Sequence, residues 1–582
     1  MKIKIILLII LIPLQLFAIQ NNNVVPKRII IDPPTYHCLS FRWLIEGDDN
    51  ENASVSVYYK RTGRQYQDWK EALPLLRIAN DLVDRDYNEF LTGNLFAGSI
   101  LNLTPGAKYD VYFVMSDPDG GYAEKVVEAQ TKSYPRPFET KNIINVYPKD
   151  YEKEKNKPYY NNLNDALIAS APGTIINIHE GRYKGTYQFE KEGSPYMPIV
   201  IRGSNREDVI FDGEDTEGKI FDIQDKSYIH FENLTITNGN IGIKANYCKG
   251  LKVQNCKIDN INYGIIAYGA TSDWFIYNNY IEGKVESWYP RKQVQEKYST
   301  CTGITVEGKE IVVCFNTIKN FWDCLTINNL SQPDNWKSPR NVSIDFYNND
   351  LSNAGDDALE VDFSYHNVRA WHNRIVNAHV GISAQPIYGG PVYIFRNVVY
   401  NVTRTALKLH NWPSGILVYN NTFVSAGRVF WSDAIWQNTT IKNNLLLGND
   451  NYTLVSGTPD PRSEMDYNGY YNKPDKKPFI KWTRNNYKTS AEYDNLYKFT
   501  NDTGLERHGV YVKYDDFVDL TPPQKGHTYD PRQINFKITA SSNAVNSGLK
   551  IPTITKKVKD GRADLGFWEL ENKLPIFGKL NF

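Results

Sequence analysis

The chain repeats a short segment centred on asparagine at a nearly constant interval. The nine central residues are Asn233, Asn255, Asn278, Asn316, Asn348, Asn373, Asn397, Asn420 and Asn443. Their separations are 22, 23, 38, 32, 25, 24, 23 and 23 residues, so all but two lie near 23. The segments between them alternate polar and apolar residues with a period of two, which is typical of strands and not of helices. Such a period in β-rich sequence predicts a solenoid, here a right-handed parallel β-helix.

With this repeat, the chain resembles the pectate-lyase-like β-helix superfamily over roughly 300 residues. Each copy carries an Asn turn and a second short strand, such as Tyr263–Ala267 or Val380–Ala384. That superfamily contains polysaccharide lyases, glycoside hydrolases, pectin esterases, epimerases and phage or adhesin fibres. The resemblance therefore implies the fold and leaves the reaction open.

The first residues have the pattern of an export signal. Lys2 and Lys4 precede the apolar run Ile5–Phe17, and Ala18 offers a small residue for cleavage. The run is short for a membrane span. We therefore predict a signal peptide at 1–18 and a mature protein that is secreted or periplasmic, without a membrane span.

Residues 27–132 alternate like β-strands and precede the repeat. The stretch Leu103–Val111 contains a Pro-Gly turn, and Tyr109 stands where a tyrosine corner would pin a strand. With Trp43 at an early core position, this segment resembles a fibronectin type III domain. The resemblance implies a β-sandwich that serves as a spacer or brace, or that binds sugar through exposed aromatic residues.

The remainder divides into the β-helix at 140–450 and a C-terminal coil extension and cap at 451–582. Endings similar to Asp564-Leu565-Gly566 occur in the superfamily, where the last segment covers the open end of the solenoid. Such a cover is needed because the terminal strands would otherwise stay unpaired. The predicted fold class is all-β, a parallel β-helix preceded by a β-sandwich.

Charge balance argues against nucleic acid as the main partner. The 582 residues include 66 basic and 66 acidic side chains, whereas phosphate binding needs a basic excess. We expect a monomer whose partner is a polysaccharide. The six cysteines lack the close spacing of zinc sites, so we predict buried thiols. A disulfide from Cys301 to Cys314 or Cys324 is the alternative, since export permits it.

Aligning the second strands of successive coils predicts one outer face that carries many charged side chains. Equivalent residues on neighbouring coils lie about 4.8 Å apart. The gathered residues are Glu307, Asp323, Asp356, Asp357, Glu360, Asp362, His379, Arg404, Lys408 and His410. Stacked acids repel one another, so the cluster favours a functional cleft. The alternative is a solvated face whose acids only maintain solubility.

The order of these residues partly resembles the polygalacturonase type of glycoside hydrolase. The matching elements are Asp323, then Gly355-Asp356-Asp357, then His379 displaced by one residue from the family's histidine, then Lys408-Leu409-His410 at the basic pair. The resemblance implies an inverting hydrolase that needs no cofactor. In such an enzyme a protonated carboxyl and a carboxylate stand about 6.5–9.5 Å apart with water between them.

Residue roles follow from this resemblance. Asp357 is the predicted acid, and Asp323 and Asp356 would hold the water, while Lys408 and His410 would bind an anionic or hydroxyl-rich substrate. The predicted catalytic set is Asp323, Asp356, Asp357, His379 and Lys408. The predicted substrate-binding set is Glu307, Asn328, Gln385, Tyr388, Arg404 and His410.

Two other functions stay open. The first is a calcium-dependent polysaccharide lyase, in which Asp356, Asp357, Glu360 and Asp362 would bind Ca²⁺, a cation that takes about six to eight oxygens. The set resembles the Asp-Asp-x-x-Asp motif of pectate lyases, and Lys408 or His379 would remove the α-proton. The second is a non-catalytic glycan-binding β-helix, because solenoids also serve as rigid rods.

Overall fold

The computed structural model describes residues 21–63, 68–85, 88–150, 159–328, 335–433, 435–450, 452–457, 459–471, 473, 478–484, 489–555, 558, 561–570 and 572–580. The predicted signal peptide at 1–18 lies outside these residues. Within the described ranges no helix is both long and apolar enough to cross a membrane.

The residues ahead of the repeat form antiparallel sheets. Their strands are β1 (Val25–Asp32), β2 (Leu39–Glu46), β3 (Ser54–Arg61), β4 (Lys70–Glu71), β5 (Leu76–Ala79), β6 (Leu82–Arg85), β7 (Asn88–Leu91), β8 (Asn94–Ile100), β9 (Lys108–Ser116) and β10 (Tyr122–Gln130). One sheet has the order β1-β2-β8-β5, the second has β10-β9-β3-β4, and β6 pairs with β7. Alternate residues of the two larger sheets fill one core, in which the Phe41 and Trp43 rings meet Phe113.

Both residues that suggested a sandwich occupy structural positions. The Thr104 amide donates a 3.0 Å hydrogen bond to the hydroxyl of Tyr109, which is the predicted corner. Trp43 is fully buried. A two-sheet β-sandwich is therefore present, and its kinship with fibronectin type III domains stays a prediction.

The repeat region forms a parallel β-solenoid. Its first strands are β11 (Ile143–Val146), β12 (Ile175–Ile178), β13 (Gly181–Lys184), β14 (Tyr187–Gln188), β15 (Ile199–Gly203), β16 (Val209–Asp222), β17 (Ile229–Glu232), β18 (Thr235–Lys244), β19 (Lys252–Gln254), β20 (Lys257–Ile266), β21 (Thr271–Tyr277) and β22 (Tyr280–Gly283). Helix α1 (Leu163–Ala169) packs on the first coil and buries Leu163, Ala166 and Leu167. The α1 helix thus closes the N-terminal end of the core.

The later coils complete the solenoid. Their strands are β23 (Thr302–Val306), β24 (Gly308–Cys314), β25 (Thr317–Lys319), β26 (Asp323–Ile327), β27 (Val342–Tyr347), β28 (Asp350–Glu360), β29 (His366–Trp371), β30 (Arg374–Ala384), β31 (Tyr388–Phe395), β32 (Val398–Leu409), β33 (Ser414–Tyr419), β34 (Thr422–Ser425), β35 (Arg428–Ser432), β36 (Thr440–Lys442), β37 (Leu445–Gly448), β38 (Leu454–Gly457), β39 (Glu464–Asp466), β40 (Gly469–Tyr471), β41 (Ile480–Arg484), β42 (Thr489–Tyr493) and β43 (Val510–Tyr511). Helix α2 (Arg291–Tyr298) lies in the first long interval, and helix α3 (Leu496–Thr503) follows the last coils. Short 3₁₀ turns occur at Tyr514–Asp516 and Pro531–Gln533.

The strands stack into two long sheets. One has 13 strands from β11 to β39, and the other has 20 strands from β13 to β43, as counted in the described part of the chain. Each coil passes from the 13-stranded sheet through an Asn turn into one long bent strand, or two short strands, of the 20-stranded sheet. Apolar side chains from every coil fill a continuous core between the sheets.

Two successive positions of each Asn turn have different roles. The first adopts the left-handed conformation, with Asn278, Asn348 and Asn420 at φ of 59°, 55° and 52°. This conformation is the one that asparagine tolerates best among non-glycine residues. The second position forms a ladder in which each side-chain amide donates to the next at 2.9–3.1 Å. The ladder residues are Asn279, Asn316, Asn349, Asn373, Asn397, Asn421, Asn444 and Asn468.

The C-terminal residues divide between the end and the side of the solenoid. Helix α3 and the β41–β42 hairpin cover the end of the solenoid, with the Phe499 ring 5.1 Å from Trp482. The Asp564-Leu565-Gly566 segment lies instead along the side of the coils, where Asn420 donates to the Asp564 and Gly566 carbonyls. The assignment of 451–582 to a coil extension and cap stays a prediction, and within it α3 and the hairpin cover the end while the Asp564-Leu565-Gly566 segment runs along the side.

All six cysteines are buried free thiols. The prediction of buried thiols is confirmed. The alternative disulfide from Cys301 to Cys314 or Cys324 is wrong, because these side chains lie in the solenoid core or against it without a covalent bond.

The sandwich packs on the 13-stranded sheet. The Ser99 amide donates to the Tyr393 hydroxyl at 2.8 Å, and the guanidinium of Arg369 donates to Ser40 at 2.6 Å and to Ser99 at 2.9 Å. Arg369 is fully buried and also pairs with Asp345. Polar contacts sealed from water thus join the two parts of the molecule.

Candidate catalytic cleft on the solenoid

The predicted register of the charged face is the observed one. In the 20-stranded sheet, Thr326 pairs with Glu360, Glu360 with Ser383, and Ser383 with Lys408. The alternate residues on these strands, such as Leu359 and Ile382, are fully buried. Glu360 and Lys408 therefore project from one outer face, two coils apart.

A second asparagine ladder bends the chain just before the charged residues. Asn320, Asn353, Asn377 and Asn401 have φ between 57° and 63°, and the side-chain amides of the last three each donate to the preceding asparagine at 2.8–2.9 Å. The charged residues follow each of these by two to four positions, and they are Asp323, Asp356, Asp357, His379 and Arg404. Successive bends in register therefore deliver these side chains to the same edge of the face.

Three carboxyl groups meet at the centre of the face. Asp323, Asp357 and Glu360 each place an oxygen within 4.8 Å of the other two. The Asp357 amide donates to Asp323 Oδ1 at 3.0 Å, which fixes the two coils relative to each other. Lys408 Nζ lies 2.7 Å from Asp357 Oδ2, and only 7% of Lys408 and 3% of Asp357 is exposed. A buried ion pair thus underlies the more exposed Asp323 and Glu360.

Crowding of acids changes the protonation of this face. Burial, and then the neighbouring Asp357 and Asp356 carboxylates, raise the pKa of Asp323 well above its usual value. Burial and nearby acids, first Asp323, likewise raise the pKa of Glu360. Burial raises the pKa of Asp362 to about 7, although Lys408 opposes the shift. The face therefore retains protons at pH values where isolated carboxyl groups are ionised.

Asp356 is held by an insertion. Helix α2 follows Tyr289 and Pro290 in the first long interval, and its Arg291 binds Asp356 through two nitrogens at 3.0 and 2.8 Å. The Arg291 guanidinium also lies over the Trp322 ring, 4.9 Å from its centroid. The first long interval of the repeat thus contributes a cation that holds one of the predicted catalytic acids.

The two predicted histidines have different partners. The Nδ1 atom of His379 lies 2.9 Å from the Thr403 hydroxyl, and burial together with Arg291 and Arg404 lowers the pKa of His379 to about 3. His379 is therefore a neutral imidazole over the working range of most enzymes. His410 contacts Asp433 through Nε2, one coil beyond Lys408.

The remaining predicted binding residues divide into two groups. Gln385 borders the cluster, since its backbone amide donates to Asp362 Oδ1 at 2.8 Å, and Asn328 follows the strand that carries Thr326. Glu307 instead accepts from the Gly269 amide at 2.8 Å and is 3% exposed. Tyr388 is also 3% exposed and packs 4.9 Å from the Phe90 ring of the sandwich, so the structure does not bring it to the cleft.

The structure adds residues that the sequence prediction did not place. Trp431 pairs with Lys408 in the parallel register, and Arg428 pairs with Thr405. One repeat interval of 23 residues separates Trp431 from Lys408, so the repeat could have predicted that the two side chains are neighbours on the outer face. The Arg291–Asp356 and His410–Asp433 contacts depend on loop packing, and no spacing in the sequence indicated them.

The three carboxyl groups of Asp323, Asp357 and Glu360 also have features of a cation site. Asp357 Oδ1 is buried and has no hydrogen-bond partner among the described residues, and it stands beside the oxygens of Asp323 and Glu360. Carboxylate oxygens suit Ca²⁺. Of the four predicted ligands, Asp357 and Glu360 belong to this group. Asp356 is taken by Arg291, and Asp362 accepts from Ser383 at 2.9 and 3.2 Å.

Comparisons with known proteins give a distant relative and distant folds. No protein-family model matches the chain. It is 22% identical over 447 residues to the uncharacterized protein YwoF of Bacillus subtilis (strain 168), covering 64% of this chain and 89% of YwoF.

Three solved structures are similar at low identity. An alginate lyase from Paenibacillus sp. is 16% identical, covering 53% of this chain and 94% of its own, with a TM-score of 0.23. A family 28 exopolygalacturonase from Yersinia enterocolitica is 11% identical, covering 79% and 92%, at 0.24. The catalytic domain of a GH87 alpha-1,3-glucanase is 12% identical, covering 79% and 88%, at 0.26. These TM-scores are too low for the likenesses to bear on the reaction of this chain.

Proposed function

We propose that this protein is a polysaccharide-cleaving enzyme, a glycoside hydrolase that acts on the outer face of the solenoid. The observation that carries the proposal is the convergence of Asp323, Asp357 and Glu360 within 4.8 Å of one another, beside the buried Lys408. Carboxyl groups held so close do not all ionise, so the site offers a proton donor and a carboxylate at the same pH. Glycoside hydrolysis needs this pair of groups.

Glu360 is the acid in this mechanism, and Asp323 is the carboxylate. The raised pKa of Glu360 lets it hold the proton that passes to the glycosidic oxygen. Asp323 accepts a hydrogen bond from the Asp357 amide, which stabilises its carboxylate form once Glu360 holds the proton. This assignment moves the acid role away from Asp357, because Lys408 binds its Oδ2 and its Oδ1 is buried.

The separation of the carboxyl groups favours retention of configuration. Retaining enzymes place them about 5–5.5 Å apart and inverting enzymes about 6.5–9.5 Å apart. One oxygen of Asp323 lies within 4.8 Å of one oxygen of Glu360, and on this close approach we place the pair in the retaining class. We therefore expect Asp323 to attack the anomeric carbon directly, in place of the water-mediated inversion suggested by the resemblance to polygalacturonases.

The test compares wild type with Glu360→Gln and Asp323→Asn on pectic, alginate and neutral glycans. We expect new reducing ends from wild type, a loss of roughly 10²–10⁴-fold in both variants, and NMR detection of the retained anomer. Asp259→Asn is the matched control, because Asp259 is an acid on β20 of the same sheet, paired with Lys257 outside the cluster. Glycan binding without any cleavage would instead support the non-catalytic alternative and reject the hydrolase.

A calcium-dependent lyase is the second candidate, favoured by the buried unpartnered Oδ1 of Asp357. Asp323, Asp357 and Glu360 would hold the Ca²⁺, which would neutralise the uronate carboxylate of the substrate. The same assay distinguishes the lyase from the hydrolase, because elimination yields a product with a new ultraviolet-absorbing double bond. A chelator would stop the formation of this product. Chelator-resistant formation of saturated products would reject the lyase.

In the proposed enzyme the N-terminal sandwich braces the solenoid and does not take part in catalysis. We infer a fibronectin type III-like brace, on the basis of its tyrosine corner and its polar contacts with the 13-stranded sheet. The predicted export signal is consistent with action on polysaccharides outside the cytoplasm.

A further inference from the structure

The coil beyond Lys408 carries a tryptophan and an arginine next to the cluster. Strand β35 pairs in parallel with β32, which sets Trp431 beside Lys408 and Arg428 beside Thr405. Both side chains are partly exposed. The cleft thus continues for one coil beyond Lys408, the last residue of the predicted catalytic set.

The indole of Trp431 is held in a fixed orientation. The Arg404 guanidinium lies over the ring, 4.3 Å from its centroid, and the His410 ring is 5.5 Å away. His410 is itself anchored by Asp433. A guanidinium stacked on an aromatic ring loses little freedom on binding an anion, because its fork of donors is already oriented.

The two arginines of this region lack carboxylate partners. Among the residues that the structure describes, neither Arg404 nor Arg428 forms an ion pair, although both are partly withdrawn from water. The nearby acids do not pair with these arginines. Asp433 is bound to His410, and Asp450 influences Arg428 electrostatically from beyond ion-pair distance. Burial and Arg404 lower the pKa of Arg428. Two cations on adjacent coils raise the energy of the empty site, and an anion between them removes this cost.

We propose that Arg404 and Arg428 form an anion subsite for the carboxylate or sulfate group of an acidic sugar whose ring packs against Trp431. This inference rests on the proposed function and deepens it, because it selects acidic polysaccharides over neutral ones. Guanidinium groups bind planar and tetrahedral oxyanions through paired hydrogen bonds. An aromatic ring beside them supplies the apolar surface for a sugar face.

Equilibrium binding to the full chain tests the subsite without turnover. Calorimetry on Glu360→Gln protein would use tetragalacturonate, its carboxyl-reduced neutral analogue and a sulfated chondroitin tetrasaccharide as probes. We expect at least one acidic probe to bind more tightly than the neutral analogue, and the preferred one identifies a carboxylate or a sulfate as the ligand group. Added Arg428→Gln should weaken that binding roughly 10- to 100-fold, the effect of losing a charge-assisted hydrogen bond.

Further variants separate charge from folding. Arg428→Lys keeps the charge without the fork, so it should lose part of the affinity, while Arg532→Gln at an 82% exposed site should lose none. Equal binding of acidic and neutral probes, no binding of any probe, or an unchanged affinity in Arg428→Gln would overturn the subsite. If wild type still cleaved neutral glycans, the proposed hydrolase function would stand without the anion subsite. If wild type bound the acidic probe without cleaving it, the hydrolase proposal would be rejected and the anion subsite would stand.

Discussion

At the scale of single residues, Lys408 has a different role from the one its position in the sequence suggests. It lies among the outward-facing residues of its strand, yet the residue is only 7% exposed and its ammonium is bound to Asp357. Although burial opposes its charge, the carboxylates of Asp357, Asp362 and Glu360 raise the pKa of Lys408. Lys408 therefore acts first as the internal counterion that lets several acids share one face.

Replacing this counterion should destabilise the protein. In Lys408→Met the carboxylate of Asp357 stays buried without its partner, and the loss of one member of a buried pair costs about 3–5 kcal/mol. We expect urea denaturation to report a fall of this size in the free energy of unfolding. Adding Asp357→Asn should restore part of it.

The comparison variant for this measurement is Lys442→Met. Lys442 pairs with the exposed Glu464 on the surface of the solenoid. Exposed pairs contribute about 0–1 kcal/mol, so little change is expected there. A loss below about 1 kcal/mol in Lys408→Met would contradict a counterion role for this lysine.

At the scale of the coil, the sequence was informative wherever the repeat determines the structure. Alternation assigned Glu360 to the outer face, and Leu359 and Ile382 are buried as a period of two requires, because the ladder fixes the register of the strands. It could not reveal that Tyr388 is buried beneath the sandwich or that Arg291 holds Asp356. Both depend on contacts between segments that are distant in the chain, for which the period carries no information.

The end of the asparagine ladder is an acid. Asn468 donates to Glu506 Oε1 at 2.7 Å, and the Tyr470 hydroxyl donates to the same oxygen at 2.7 Å. Glu506 is 2% exposed, and burial raises its pKa to about 8. The folded protein therefore binds a proton that the unfolded chain releases near pH 4.5. The stability from this proton is complete below pH 4.5 and is lost as the pH rises through about 8.

Glu506→Gln should remove this pH dependence, because an amide oxygen accepts the side-chain hydrogen bonds of Asn468 and Tyr470 without titrating. We expect similar free energies of unfolding for wild type and variant near pH 5. At pH 8.5 the variant should be more stable by roughly 1–4 kcal/mol. Thermal and urea unfolding at both pH values would measure the difference. The exposed Glu128→Gln is the control, and a variant less stable than wild type at pH 8.5 would refute a titrating Glu506.

At the scale of the whole molecule, the sandwich and the solenoid share a buried polar interface. Arg369 from the 13-stranded sheet pairs with Asp345 and donates to Ser40 and Ser99 of the sandwich, all sealed from water. Around it the rings of Tyr36 and Phe275 pack 5.0 Å apart across the same boundary. Breaking such an interface exposes both apolar area and unpaired charge, so its two sides are expected to separate only when the molecule unfolds.

A single cooperative transition is therefore expected in calorimetry of wild type, in spite of the two architectures. Arg369→Met should lower the stability by about 3–5 kcal/mol, because Asp345 loses its buried partner. It should also split the transition in two, since the sandwich loses the contacts that couple it to the solenoid. Lys108→Met, at an exposed pair within the sandwich, should leave one transition near its original temperature. Two transitions in wild type, with neither displaced in Arg369→Met, would mean that the sandwich is only a tethered neighbour and gives the solenoid no support.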